Sequence, residues 1–237
     1  MPTILITGTN RGIGLELTRQ YAENGWAVLA CCRAPESANE LNELATRFSN
    51  ESDAGVHIHP LDVTNDAERA ALAADLRGQP IDILLNNAGI SGDWGTQGFG
   101  QCRADEWLKV LHTNVIAPML LTQDLVENVS ASERKTIANM SSGIGSVSEA
   151  GAMEGRYIYR SSKAALNMIS KLCAADLAVC GVTVVALHPG WVRTDMGGPD
   201  GAFSVEESAT ALRNVLGGIG FSDSGRFIDI DGRTIPW

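Results

Sequence analysis

The sequence predicts an α/β fold: a single-domain, doubly wound parallel sheet of about seven strands with helices on both faces. Three observations carry this. Short apolar, β-branched runs alternate with longer helical patterns from end to end of the 237 residues. Several of the short runs are almost continuously apolar, as strands covered on both faces must be. A glycine-rich turn joins the first run to the first helical stretch.

The strands read as 3–7, 27–32, 56–61, 81–86, 135–140, 182–188 and 227–230. Between them fall helical patterns at 13–24, 36–48, 66–77, 104–129, 156–180 and 205–216. Thr64 and Asn65 precede Asp66, a good capping environment for a helix start. Gly181 follows the fifth helix, where a left-handed C-terminal residue belongs. Asn114 lies inside the fourth, and Pro118 removes an N–H and clashes with the Asn114 carbonyl, so that helix should open there. The stretch 91–100 (SGDWGTQGFG) reads as a loop past the fourth strand end, where such folds bind ligands. No linker, repeat or low-complexity segment interrupts the pattern, so residues 1–237 are expected to form one Rossmann-type domain.

Composition narrows the function. Hydrophobic residues make up 44%, enough for a substantial core. The formal charge of −10 argues against nucleic-acid binding, because a phosphate backbone would be repelled. The five cysteines are odd in number and lack metal-site spacing, which suits reduced thiols. Cys31 and Cys32 read as the end of a buried strand. The chain opens on a strand rather than a basic leader, and no apolar run approaches the about 18 residues that span a bilayer. The expectation is a soluble, cytoplasmic protein with no membrane partner. His57 and His59 share one strand face, but the sequence places no third ligand, so no metal site is expected.

The turn after the first strand reads Thr7-Gly8-Thr9-Asn10-Arg11-Gly12-Ile13-Gly14. Glycines there allow a tight turn and close approach to a pyrophosphate, and the following helix offers unpaired N–H groups and a positive dipole end. The second strand ends at Arg33 where an NAD-specific fold would usually carry an acid; the nearest acid is Glu36, beyond Pro35. Arg33 and Arg11 converging on one corner would suit a 2′-phosphate, so NADP(H) is the expected cofactor.

Tyr159 and Lys163 stand four apart at the opening of a helix, so their side chains share a face. A cation there would lower the phenol pKa and ready it for proton exchange with a carbonyl or alcohol oxygen. Ser141 and Ser142 end the fifth strand with two hydroxyls.

These motifs, in order and correctly spaced, resemble the short-chain dehydrogenase/reductase family over essentially the whole chain. The matching segments are TGTNRGIG (7–14), LDV (61–63), NNAG (86–89), Asn114, the serine pair 141–142, YRSSK (159–163) and HPGWVRTDMGG (188–198). WVRTDMGGP and the terminal IPW are most similar to the C-factor/sniffer/carbonyl reductase branch. The resemblance implies Tyr159 as general acid, Lys163 tuning it and holding the nicotinamide ribose, Ser142 holding the substrate carbonyl, and Asn114 anchoring a water beside Lys163. It implies adenine contacts from Asp62 and Val63, and a cofactor cleft lined by Asn86, Ala88 and Gly89. Pro189, Gly190, Val192 and Thr194 would hold the nicotinamide. The expected reaction is hydride transfer from NADPH to a small-molecule carbonyl: an aldehyde, ketone or quinone. Two alternatives stand beside it, a nucleotide-sensing or developmental signalling protein on the same fold, and the reverse alcohol dehydrogenase reaction.

Two departures from the family pattern matter. Ser142 precedes Tyr159 by more than the usual gap, which Ser146 would match better; the SSxxG context at 141–145 selects Ser142, with 147–156 as a loop carrying an insertion. Only about a dozen residues separate Thr194 from the helix near Val205. A lid so short implies an open pocket and broad carbonyl specificity. Trp94, Phe99 and Met153 are candidate substrate contacts, and His188 reads as structural. Family members often dimerise through the long helices corresponding to 104–129 and 156–180. A homodimer is therefore expected, with a monomer as the alternative.

Overall fold

The structure, a computed structural model, describes residues 1–49, 54–151 and 155–237. Seven strands form one sheet: β1 Thr3–Thr7, β2 Ala27–Cys32, β3 Gly55–Pro60, β4 Ile83–Asn86, β5 Thr136–Met140, β6 Thr183–Leu187 and β7 Phe227–Ile228. Every pairing is parallel, in the order β3-β2-β1-β4-β5-β6-β7. The order reverses between β1 and β4, and the crevice above their carboxyl ends is where such sheets take ligands.

The helices are α1 Gly12–Glu23, α2 Asn39–Arg47, α3 Asp66–Asp75, α4 Ala104–Leu111, α5 Ala117–Ser130, α6 Tyr157–Asp176 and α7 Val205–Gly218. They cover the sheet from both sides, and strand alternation divides the core between them. Ile4, Ile6, Ala30 and Leu85 face Leu17 of α1, Leu41 of α2 and Leu212 of α7. Leu5, Leu29 and Leu84 face Leu72 of α3, Leu121 and Leu125 of α5, and Cys173 of α6. Cys31 and Cys32 are both buried in β2.

Local signals explain the boundaries. Asn65 caps α3 by accepting from Ala67 N and Glu68 N, and Ser204 with Glu207 forms a reciprocal cap on α7. Gly181 lies left-handed at φ 69° after α6 and its 3₁₀ extension. The helix expected over 104–129 is not continuous: residues His112–Ile116 form a π turn between α4 and α5. Pro118 cannot donate back to Asn114, and the ladder widens by one residue there.

Candidate active site

The glycine loop closes the carboxyl end of β1. Gly8 sits at φ 73°, a left-handed position that glycine takes without strain. Gly14 permits close packing: a Cβ there would lie 2.2 Å from the Gly8 carbonyl oxygen and 2.6 Å from Asn87 Nδ2. The loop is stitched to β2 by Gly8 N and Thr9 N donating to Cys31 O. It is stitched to β4 by Thr7 Oγ1, which accepts from Asn87 N and Ala88 N, and by Asn87 Nδ2 donating to Thr7 O at 2.8 Å. The first turn of α1 has neither a side-chain cap nor an acidic residue, so its N–H groups remain open to an anion. Gly12 faces Thr194 across the cleft, and Ile13 lines its wall.

The two arginines do not meet as expected. Arg11 and Asn10 lie exposed, and the Arg11 guanidinium pairs with Asp195 at 2.9 Å, bridging the glycine loop to the segment after β6. Arg33 is exposed at the end of β2, where its charge helps hold the Asp62 carboxyl below the usual range, after the hydrogen bonds from Thr64. The Val63 side chain packs into the core. Asn86 does not line the cleft with its side chain; its amide is buried, donating to Asn139 Oδ1 at 2.8 Å and Thr122 Oγ1 at 3.3 Å. Asn139 in turn donates to Ser170 of α6 at 2.9 Å, a polar ladder that ties β4 and β5 to that helix.

Tyr159, Lys163 and Ser142 converge. Tyr159 and Ser142 line the same cavity, and the Ser142 hydroxyl is placed to act on the phenol. Lys163, one turn along α6, holds its Nζ 5.6 Å from the Tyr159 ring centroid and donates to Met140 O at 2.7 Å. Gly89 borders the group from β4: a Cβ there would stand 3.2 Å from Asn114 Oδ1 and 3.6 Å from Lys163 Nζ. Asn114, in the π turn, grips Ile90 by both main-chain atoms, accepting from its N–H at 2.9 Å and donating to its carbonyl at 2.8 Å. The neighbouring serines face elsewhere. Ser141 donates to Asn167 at 2.6 Å, and Ser146 donates to Pro236 O at 2.6 Å.

Burial sets the electrostatics. It pushes the Tyr159 phenol up to about 12, against the opposing hydrogen bond from Ser142, and pushes the Lys163 ammonium down to about 8. The sequence predicts a phenol pKa lowered by Lys163; in this site, desolvation of the buried phenolate is the largest influence and acts in the opposite direction.

These groups open on a cavity of about 1300 Å³. It is lined by Ser142, Tyr159 and His188, by Pro189, Gly190, Val192 and Thr194, and by the exposed aromatic residues Trp94, Phe99 and Tyr157. The short segment after β6 is pinned by Arg193 N to Phe203 O at 2.9 Å and Phe203 N to Trp191 O at 3.0 Å. His188 packs against Gly143 with Nδ1 buried and unpartnered. Met153 lies outside the described residues. Sequence reasoning missed Asn87, which the NNAG motif could have given, and Gln97, whose partners are far away in sequence and left no signal.

Comparison with known proteins agrees with this arrangement. The family model for short chain dehydrogenase matches residues 2–203. The C-signal protein of Myxococcus xanthus is 36% identical over 167 residues, covering 70% of this chain and 99% of that one. The carbonyl reductase Sniffer of D. melanogaster superposes with a TM-score of 0.91 at 33% identity, covering 100% of both chains. A carbonyl reductase from chicken fatty liver, solved with NADPH bound, gives a TM-score of 0.91 at 33% identity over 100% of this chain and 99% of that one.

Proposed function

Because the chain belongs to the short-chain dehydrogenase family, we propose that it is an NADPH-dependent carbonyl reductase acting on aldehydes, ketones or quinones. One observation carries the reading: a phenol and a serine hydroxyl line a large cavity with a buried lysine behind the phenol, beside an uncapped helix start suited to a dinucleotide. When bound, NADPH supplies the hydride that adds to the carbonyl carbon.

The chain's own residues do the rest. Ser142 donates to the substrate oxygen and Tyr159 gives that oxygen its proton. A phenol held protonated by burial is a proton donor throughout the neutral range. Lys163 replenishes the positive field beside the phenol, and Asn114 braces the 87–90 turn against it. Gly8, Gly12 and the first turn of α1 receive the pyrophosphate. Arg33 takes the 2′-phosphate, joined by Arg11 on release from Asp195. Val192 and Thr194 flank the nicotinamide. The cavity mouth, broad and aromatic, supports wide carbonyl specificity. The same proposal includes a homodimer, supported by exposed Leu108 on α4 and Met168 and Leu172 on α6.

The test is steady-state oxidation of NADPH, and separately NADH, with a panel of aldehydes, ketones and quinones. Turnover of several classes with NADPH preferred is expected. Selectivity for a single carbonyl would remove the open-pocket reading, and NADH used equally well would remove the role given to Arg33.

A further inference from the structure

Helix α6 carries Tyr159 in its first turn, yet that turn has no cap of its own. Its N-cap residue, Arg156, lies left-handed at φ 60° and makes no side-chain bond to the turn, and no acidic residue stands there. The turn goes from exposed at Arg156 and Tyr157 to buried at Ile158 and Tyr159, and an open N–H at a buried position is costly unless something accepts from it. The acceptor is Gln97, 62 positions earlier. Its main-chain oxygen accepts from Tyr157 N at 3.1 Å, and its side-chain Oε1 accepts from Tyr159 N at 2.9 Å. The other end of the amide, Nε2, donates to Ser91 O at 2.7 Å. Gln97 is 0% exposed, so these bonds have no competition from water. The same loop sets Trp94 edge-to-face on Tyr159, with ring centroids 5.4 Å apart, and Phe99 beside Tyr157 at 6.4 Å.

We propose that Gln97 is a positioning residue: it caps α6 from the neighbouring loop, fixes the backbone of Tyr159, and couples that backbone to the loop at the mouth of the substrate cavity. The inference rests on the role of Tyr159 proposed above. It predicts that whatever disturbs the 91–100 loop displaces the phenol, and reacting groups out of place by about 1 Å can lose about 100-fold in rate.

Gln97→Leu removes both side-chain bonds at similar volume and leaves the main-chain cap. Gln97→Glu keeps an acceptor for Tyr159 N and, in its protonated form, which burial favours, still donates to Ser91 O. Both are compared with wild type and Tyr159→Phe in NADPH oxidation with 4-nitrobenzaldehyde, in NADPH affinity, and in hydrogen exchange of the 157–163 amides. For Gln97→Leu, kcat should fall by up to about 100-fold with KM little changed, NADPH affinity should be kept, and exchange at 157–163 should quicken. Gln97→Glu should recover most of the rate and the protection, and it decides the matter if the leucine variant fails to fold. Wild-type kcat and unchanged exchange in Gln97→Leu would overturn the proposal. So would equal losses of rate, KM and NADPH affinity in both variants, the pattern of general damage. If Tyr159→Phe keeps full turnover, the reading of Tyr159 has failed instead, and the exchange data alone still decide whether Gln97 holds the turn.

Discussion

At the scale of single residues, the site was legible where chemistry is local in sequence. Tyr159 and Lys163 are an i, i+4 pair, and Ser142 ends a strand. Gln97 was invisible because its partners lie across the fold. The effect of burial on the phenol was invisible for a related reason: burial is a property of the folded site, not of a spacing. Lys163 offers a direct check. Burial lowers its folded pKa to about 8 from the ordinary 10.5. Between those values the unfolded chain binds the extra proton, so stability should rise with pH across that window. The Lys163 share of the gain is on the order of 3 kcal/mol; it is opposed by Cys31, Cys32 and Cys173, whose burial keeps the thiols protonated where unfolded thiols ionise, and above about pH 10 by Tyr159. Those groups are common to both proteins, so in urea unfolding wild type should gain stability relative to Lys163→Met between pH 8 and 10. Arg33→Ala should weaken NADPH binding by about tenfold or more, from loss of a charge-assisted bond, and leave NADH binding nearly unchanged.

At the scale of elements, the sequence placed every strand and helix, and the differences lie at ends and joints. β4 begins at Ile83 rather than 81: Ile81 N donates to Asn128 O of α5 rather than to a strand, and the sheet bonds start at Asp82. Residues 36 and 37, expected to be helical, belong to the 3₁₀ turn Pro35–Ser37, and Ala38 joins that turn to α2. The largest difference is the π turn at His112–Ile116. Pro118 signalled an opening but not its form. The opening lets the Asn114 amide reach Ile90, bonding both its N–H and its carbonyl. Asn114→Ala leaves both groups in want of partners and should cost about 2 kcal/mol in stability, read by thermal or urea unfolding. It should also slow turnover, since the 87–90 turn borders Lys163. A variant of unchanged stability would show that the brace carries little.

At the scale of the whole molecule, strand–helix alternation specified a parallel doubly wound sheet, and right-handed crossovers leave few ways to arrange it. The reversal of strand order between β1 and β4 then fixes where a ligand can sit. It brings the glycine loop, the NNAG turn and the tyrosine helix to one crevice from segments far apart in sequence. How chains associate was not readable from pattern alone, since a helix face that meets a partner looks like any apolar stripe. The homodimer proposed through α4 and α6 predicts twice the mass of one chain by light scattering at micromolar concentration, and Leu172→Glu should halve it. A wild-type monomer under those conditions would end that proposal.

The central claim is that Tyr159 gives the proton while NADPH gives the hydride. The most direct measurement compares wild type with Tyr159→Phe in NADPH oxidation with the carbonyl panel, with NADPH affinity measured for both. The account predicts turnover by wild type and its loss in the variant, with cofactor binding kept. A Tyr159→Phe variant that turns over like wild type, or a wild type that binds NADPH tightly and reduces nothing in the panel, would contradict it.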